Sequence, residues 1–194
     1  VETKGLGFPS IHPVVRTDQH ELLKSDAQYL IRMKQEHVRP VTINCAVLTV
    51  SSSRTKETDK SGETIIQMFS EAGFETRYYT IVPDRIDAIR SELIKALEVA
   101  NCVVLNGGTG LTHDDCTIEA VQPLFDKKIE GFGELFRMIS FGEIGSSAML
   151  SRAIAGITGG KAIFCIPGST GAVKLAINLL IIPELPHILS HANK

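Results

Sequence analysis

The sequence predicts an α/β fold, a three-layer α/β/α sandwich with a mostly parallel sheet, and three observations carry that prediction. Short apolar runs rich in β-branched residues recur at 43–50, 74–82, 102–105 and 162–166. Between them lie segments whose apolar residues return at three- and four-residue spacing, the period of a helix with one buried face. Strands alternating with helices in this way form parallel crossovers, with helices on both faces of the sheet.

Residues 1–40 are polar and aperiodic except for Asp26 to His37, which reads as a short helix closed by Pro40. They form an N-terminal extension, expected to be partly flexible, to a domain spanning 41–194. Ile43, Cys45, Ala46, Val47, Leu48 and Val50 then make a strand apolar enough to be buried on both faces. A loop rich in Ser, Thr and Lys runs from Ser51 to Gly62. Ile65, Ile66, Phe69 and Ala72 share one helical face, and Gly73 suits the position just past the helix end. The aromatic and β-branched residues of Phe74 to Val82 give a second strand. Pro83 and Asp84 open a helix that carries Ile86, Ile89, Leu93 and Leu97. Cys102 to Leu105 is the next strand, and two or three helices are expected over Thr117 to Ala155. Ala162 to Ile166 is a further strand, and the closing helix is expected from Ala172 to about Ile182.

Composition narrows the functions. The formal net charge is −2, so no global positive field exists to hold a nucleic acid, and phosphate binding must be local. Of the four cysteines, Cys45, Cys102 and Cys165 lie in strand-like runs and Cys116 does not; with no CxxC spacing, they read as small buried thiols. No stretch approaches the roughly 18 to 20 apolar residues of a membrane span, and no signal-peptide layout is seen, so no membrane association is expected and the cytoplasm is the expected compartment.

In open α/β sheets, ligands bind beyond the carboxyl ends of the strands. Three loops there carry small residues: Ser51 to Ser53, Gly107 to Gly110 and Gly168 to Gly171. Glycines let a phosphate approach the main chain closely, which favours a phosphate-recognising site. Other signatures fail. Gly156 to Lys161 is one residue short of a P-loop and precedes a strand, the turn after Leu105 is not GxGxxG, and Pro167 replaces the first glycine of GxSxG. His187 and His191 lack a third ligand and receive no role. Asp84 and Asp115 stand at strand-to-helix junctions, where an aspartate is either a helix cap or a hard oxygen ligand for Mg²⁺ beside a phosphate.

The run Leu105 to Glu119, LNGGTGLTHDDCTIE, resembles the molybdopterin-binding family of molybdenum-cofactor biosynthesis. Ordered matches continue at LTVSSSR from Leu48, DKSG from Asp59, IVPD from Ile81, IEGFGELFR from Ile129, SSAMLSRAIAG from Ser146 and IPGST from Ile166. The resemblance covers about residues 42–185 and leaves the first forty without a counterpart. It implies the molybdopterin-binding fold, assembly as a homotrimer or homohexamer, and molybdopterin and ATP as partners. It further implies adenylylation of the pterin's terminal phosphate with Mg²⁺ as cofactor. On this basis Asp84 and Asp115 are the catalytic and Mg²⁺-holding residues. The substrate- and nucleotide-binding positions are Ser51, Ser61, Gly62, Gly107, Gly108, Thr109, Gly110, Gly133, Glu134, Ser151, Pro167, Gly168 and Ser169. The alternatives are a non-catalytic pterin-binding or carrier protein using the same pocket, and a nucleotide-cleaving enzyme of the related competence-damage family. Independently, Phe132 to Ile157 holds more large apolar residues than one core-facing helix needs, which predicts an exposed patch covered by another subunit.

Overall fold

The structure, a computed structural model, describes residues 40–194; the helix expected over Asp26 to His37 lies outside the described residues. Strand β1 (Asn44–Val50) leads through α1 (Lys60–Glu71) to β2 (Glu75–Val82), and α2 (Ile86–Val99) leads to β3 (Cys102–Asn106). After α3 (Thr117–Val121) come β4 (Lys127–Lys128), α4 (Glu130–Ile144), β5 (Ile154–Thr158) and β6 (Lys161–Ile166). A long helix, α5 (Thr170–Ala192), closes the chain.

The six strands lie in the order β2-β1-β3-β6-β5-β4. β2, β1, β3 and β6 are parallel, whereas β5 runs antiparallel to β6 and β4 antiparallel to β5. Alternate side chains of a strand point to opposite faces, and both faces here are apolar. Cys45 and Val47 of β1, with Cys102 and Val104 of β3, pack against α1, α4 and α5. Ala46, Leu48 and Val50, with Val103 and Leu105, pack against α2 and α3. The crossover through α1 therefore lies on one face and that through α2 on the other, so the chain reverses direction across the sheet between β1 and β3. That reversal separates the loops after these two strands and opens a crevice at their carboxyl ends.

Three expectations need correction. Thr117 to Ala155 is not all helix, because β4 interrupts it and β5 starts at Ile154. The sequence signal was the Gly159–Gly160 pair between two apolar runs. Both glycines have positive φ, 54° and 75°, and they join paired residues Thr158 and Lys161 as a two-residue hairpin. Gly156 is also required, since a Cβ there would lie 2.3 Å from the Phe125 ring.

The closing helix begins at Thr170 and continues to Ala192 instead of stopping near Ile182. A π-helical stretch, Ala176–Ile181, precedes Pro183 and shifts the backbone pairing there, so the helix continues past a residue that has no N–H to donate. At 23 residues and mean hydropathy 1.5, this helix is long and apolar enough to cross a membrane, contrary to the reading of the sequence. Its inner face, including Val173, Ile177, Ile181, Leu185 and Leu189, is buried in the core on the sheet. As expected, Cys45, Cys102 and Cys165 are buried, while Cys116 is half-buried.

Helix α4 has two apolar faces. Phe132 and Phe136 point inward, Phe132 meeting Phe164 edge-on at 5.3 Å, while Met138, Phe141 and Ile144 are exposed. The 3-10 turn Gly145–Leu150 extends that outer patch with Met149, 77% exposed, and Leu150. The apolar surplus of Phe132 to Ile157 is therefore real, and among the described residues nothing covers it.

Candidate functional site

Beneath the carboxyl ends of β1, β2 and β3, on the α1 face, lies a buried polar network around Asp59. The Asp59 side chain is fully buried. Its Oδ1 accepts from the Gly62 N–H at 3.0 Å and from Arg54 Nη1 at 3.3 Å, while Oδ2 accepts from the hydroxyls of Thr49 and Tyr79. The first of these bonds caps α1. The Ser61 hydroxyl lies 2.9 Å from Asp59 Oδ1 and 2.7 Å from Asn106 Oδ1, and Asn106 donates through Nδ2 to Thr49 Oγ1 at 2.9 Å. Burial by itself pushes the Asp59 carboxyl up, but the hydrogen bonds from Thr49, Gly62, Tyr79 and Ser61 outweigh it and hold the group below the ordinary aspartate range. Burial and then the Asp59 bond push the Tyr79 hydroxyl well above its ordinary value.

Arg54 carries the network to a fourth strand. Its Nη1 also contacts Ser61, and Nη2 donates to the Gly168 carbonyl at 3.2 Å. Gly168 packs on Gly107, where a Cβ would stand 3.1 Å from the Gly107 Cα, and the Gly107 N–H donates to the Ile166 carbonyl. The loops after β1, β3 and β6 are thereby fastened to one another.

Gly107 and Gly108 have φ of 96° and 60°, so each needs glycine for backbone reasons as well as space. A Cβ on Gly107 would meet the Val50 carbonyl at 2.4 Å, and one on Gly108 would meet Thr117 Oγ1 at 2.5 Å and Asp84 Oδ1 at 3.0 Å. Asp84 thus stands against the glycine loop. Its Oδ2 accepts from both the N–H and the hydroxyl of Ser52 at 2.8 Å, which ties the β2 junction to the serine loop. Asp115 stands on the far side, where a Cβ on Gly110 would lie 2.7 Å from its Oδ2. That same oxygen accepts from the Thr112 N–H and hydroxyl. These bonds, the Thr112 hydroxyl first, hold the Asp115 carboxyl below its usual range, with Arg152 adding to the effect.

Neither aspartate caps a helix. The N-cap of α2 is Arg85 and that of α3 is Cys116, and neither makes a side-chain cap bond. Each carboxylate instead braces a loop, Asp84 Oδ2 the serine loop and Asp115 Oδ2 the turn at Thr112.

The remaining positions divide into rim and support. Ser51, Gly110, Pro167 and Gly168 are half-buried and Ser169 is exposed at the start of α5, whose first turn it caps through Ala172. Thr109 is buried. Ser61 and Gly62 lie inside the Asp59 network below the rim, and a Cβ on Gly62 would lie 2.2 Å from Asp59. Gly133 is buried on α4 because the chain at Ala153 crosses it closely, with the Ala153 carbonyl 2.6 Å from where a Cβ would be. Arg137 bridges from there to the Ser151 carbonyl at 3.3 Å. Glu134 is exposed on α4. Sequence reasoning missed Arg54, Asp59, Asn106 and Arg152 as site-building residues. Only Asp59 carried a local signal, as an N-cap aspartate ahead of an apolar-periodic run. A surface depression of about 780 Å³ flanked by Asn44, Arg77 and Lys161 lies at the opposite end of the sheet and plays no part in this arrangement.

Fold and rim together define an open α/β protein whose candidate site is assembled at the point where its sheet reverses direction. A family model described as "Probable molybdopterin binding domain" matches residues 46–187. Molybdenum cofactor biosynthesis protein B of Bacillus subtilis (strain 168) is 50% identical over 165 residues, which cover 82% of this chain and 97% of that one. The crystal structure of a molybdenum cofactor biosynthesis protein B superposes with a TM-score of 0.76 at 51% identity, covering 80% of this chain and 98% of that one. The tungsten cofactor synthesizing protein MoaB from Pyrococcus furiosus superposes with a TM-score of 0.75 at 41% identity, covering 80% and 100%. The chain belongs to the molybdopterin-binding-domain family.

Asp59 generates a prediction about acid stability. Its folded pKa lies below the unfolded value of about 3.9, so its stabilisation is fully present above that pH and is lost as pH falls through the folded value. Asp59→Asn, which turns an acceptor into a donor facing donors, is expected to lower stability at pH 7 by about 2–4 kcal/mol and to flatten the acid limb. Urea unfolding between pH 3 and pH 7 checks both; an Asn variant as stable as the parent at pH 7 contradicts the assignment.

Proposed function

We propose that the chain binds molybdopterin and ATP on the rim formed by the loops after β1, β3 and β6, and transfers AMP to the terminal phosphate of the pterin. The reading rests on the family, on what the relatives' names say they make, and above all on one observation. Asp84 and Asp115 stand against the same glycine loop from two different junctions, each braced through one oxygen. Such a pair is suited to a charged, phosphate-rich ligand only if a cation lies between carboxylates and phosphates.

The residues present fit Mg²⁺. Among the described residues no three His, Cys, Asp or Glu side chains group closely enough to hold a metal by themselves. Mg²⁺ does not require such a cage, being commonly held by one or two carboxylates together with waters and substrate phosphates. Asp84 and Asp115 would supply the carboxylates, and the ion when bound would neutralise charge on the phosphates. Asp115, held below its usual range, is ionised at neutral pH without a change in its surroundings.

The chain's own groups do the rest. Main-chain N–H groups of the glycine loop other than that of Gly107, which is held by the Ile166 carbonyl, would receive anionic oxygens. An oxygen of the pterin phosphate attacks the α-phosphorus of ATP, a bond forms there, and the bond to the β-phosphate oxygen breaks to release pyrophosphate. The attacking phosphate is anionic near neutral pH, so no general base is needed. Positioning and charge neutralisation carry the rate.

The exposed patch of Met138, Phe141, Ile144, Met149 and Leu150 is read as the contact between copies of the chain, in a trimer or a hexamer. Light scattering over a tenfold dilution is expected to give a stable multiple of three times 21.1 kDa. A steady monomer mass or a stable dimer rules this assembly out.

The direct test of function incubates the protein with molybdopterin, Mg²⁺ and ATP, and looks for an AMP adduct by mass spectrometry. Adduct and pyrophosphate are expected in equal amounts. Asp115→Asn is expected to keep the fold and most pterin affinity while lowering turnover about 100-fold or more, as for loss of a charge acting in the transition state. Tight pterin binding with no adduct would leave a binding or carrier protein in its place.

A further inference from the structure

The segment from Gly107 to Cys116 contains no regular element, and within it Asp115 is tied only to its near neighbours Thr112 and Gly110. Leu111 to Asp114 are exposed, so little packing holds them. The helix that follows, α3, has five residues, far too few to be stable alone. These local ties move with the turn, so something outside the segment must hold the turn in place.

We propose that Arg152 is the positioning residue that holds the 109–115 segment, and with it Asp115, over the rim by gripping it from the anchor Glu119. Arg152 Nε donates to the Thr109 carbonyl at 3.0 Å and Nη2 reaches the Asp115 carbonyl at 3.5 Å, so one guanidinium spans both ends of the exposed turn. Nη1 and Nη2 meet the two oxygens of Glu119 at 2.5 and 3.4 Å. Glu119 is a firm anchor because α3 is held from its other side: Arg90 of α2 donates to the Ala120 carbonyl at 2.8 Å and to the Glu119 carbonyl at 3.4 Å. A planar fork with donors in three directions makes this set of contacts, and a lysine ammonium does not. The Arg152 side chain is 29% exposed, so water competes with the grip only in part. Arg152 lies one residue beyond Ser151, whose carbonyl accepts from Arg137 of α4, so the clamp stands on the helical layer as well as on the sheet.

The consequence for turnover rests on the adenylyl-transfer reading, whereas the consequence for the loop does not. In the full chain, Arg152→Gln and Arg152→Lys are both expected to speed amide hydrogen exchange at 109–116 by about tenfold or more, with β1 and β3 amides unchanged. In AMP transfer, kcat is expected to fall about tenfold while KM for ATP stays within about twofold, and lysine does not rescue. Glu119→Gln, which leaves the arginine in place, is expected to move both readouts in the same direction by less. Unchanged exchange in all three variants, or full rescue by lysine, overturns the proposal. A raised KM for ATP with kcat intact also overturns it and makes Arg152 a direct phosphate ligand. If the parent protein transfers no AMP, the functional reading fails while the exchange data still decide the role of Arg152.

Discussion

A buried carboxylate is the constraint on which the rest of this structure depends. An isolated charge taken out of water is costly by several kcal/mol, so it persists only where its lone pairs are filled. Asp59 fills them with donors drawn from β1, from the loop after it, from the first turn of α1 and from β2. Satisfying one side chain therefore fixes the position of four pieces of chain. Asn106 and Arg54 extend the same network to β3 and to the loop after β6. The loops that form the rim are long in polar residues and short in packing, and this shared network stands where an apolar core would otherwise hold them.

The arrangement separates support from chemistry. Asp59 sits below the rim with all its capacity used, whereas Asp84 and Asp115 stand on it with one oxygen each used for bracing. The three aspartates differ because their surroundings differ: Asp59 is enclosed by donors, whereas Asp84 and Asp115 stand at the surface of the site. The close packing of Gly107 on Val50 and of Gly168 on Gly107 brings main chain to the surface of the site without intervening side chains.

Much of the fold was legible because burial imposes a period. β1, β3 and β6 are apolar on both faces, and α1 and α2 repeat apolar residues at helical spacing, so each announces itself locally. The β5–β6 hairpin was not read because a five-residue apolar strand following a helix has no period of its own; its signal was the Gly159–Gly160 turn. The end of α5 was misplaced because Pro183 and Pro186 normally stop a helix, and the π-helical stretch that lets the helix continue leaves no local mark. For the site, glycine loops and aspartates at junctions were visible, but an N-cap aspartate and a ligand aspartate are the same residue type at the same place. Arg152 and Asn106 were invisible, since their roles arise from contacts with residues 33 to 58 positions away along the chain.

The central claim is that the loops after β1, β3 and β6 are held as one unit through Asp59. A double-mutant cycle with Arg54→Gln and Asn106→Ala, followed by urea unfolding at neutral pH, tests it most directly. These two residues both contact Ser61 and are not bonded to each other. A single network predicts strong non-additivity, with a coupling energy of about 1–3 kcal/mol. Losses that add to within about 0.5 kcal/mol would mean that the two residues act independently, and would contradict the account.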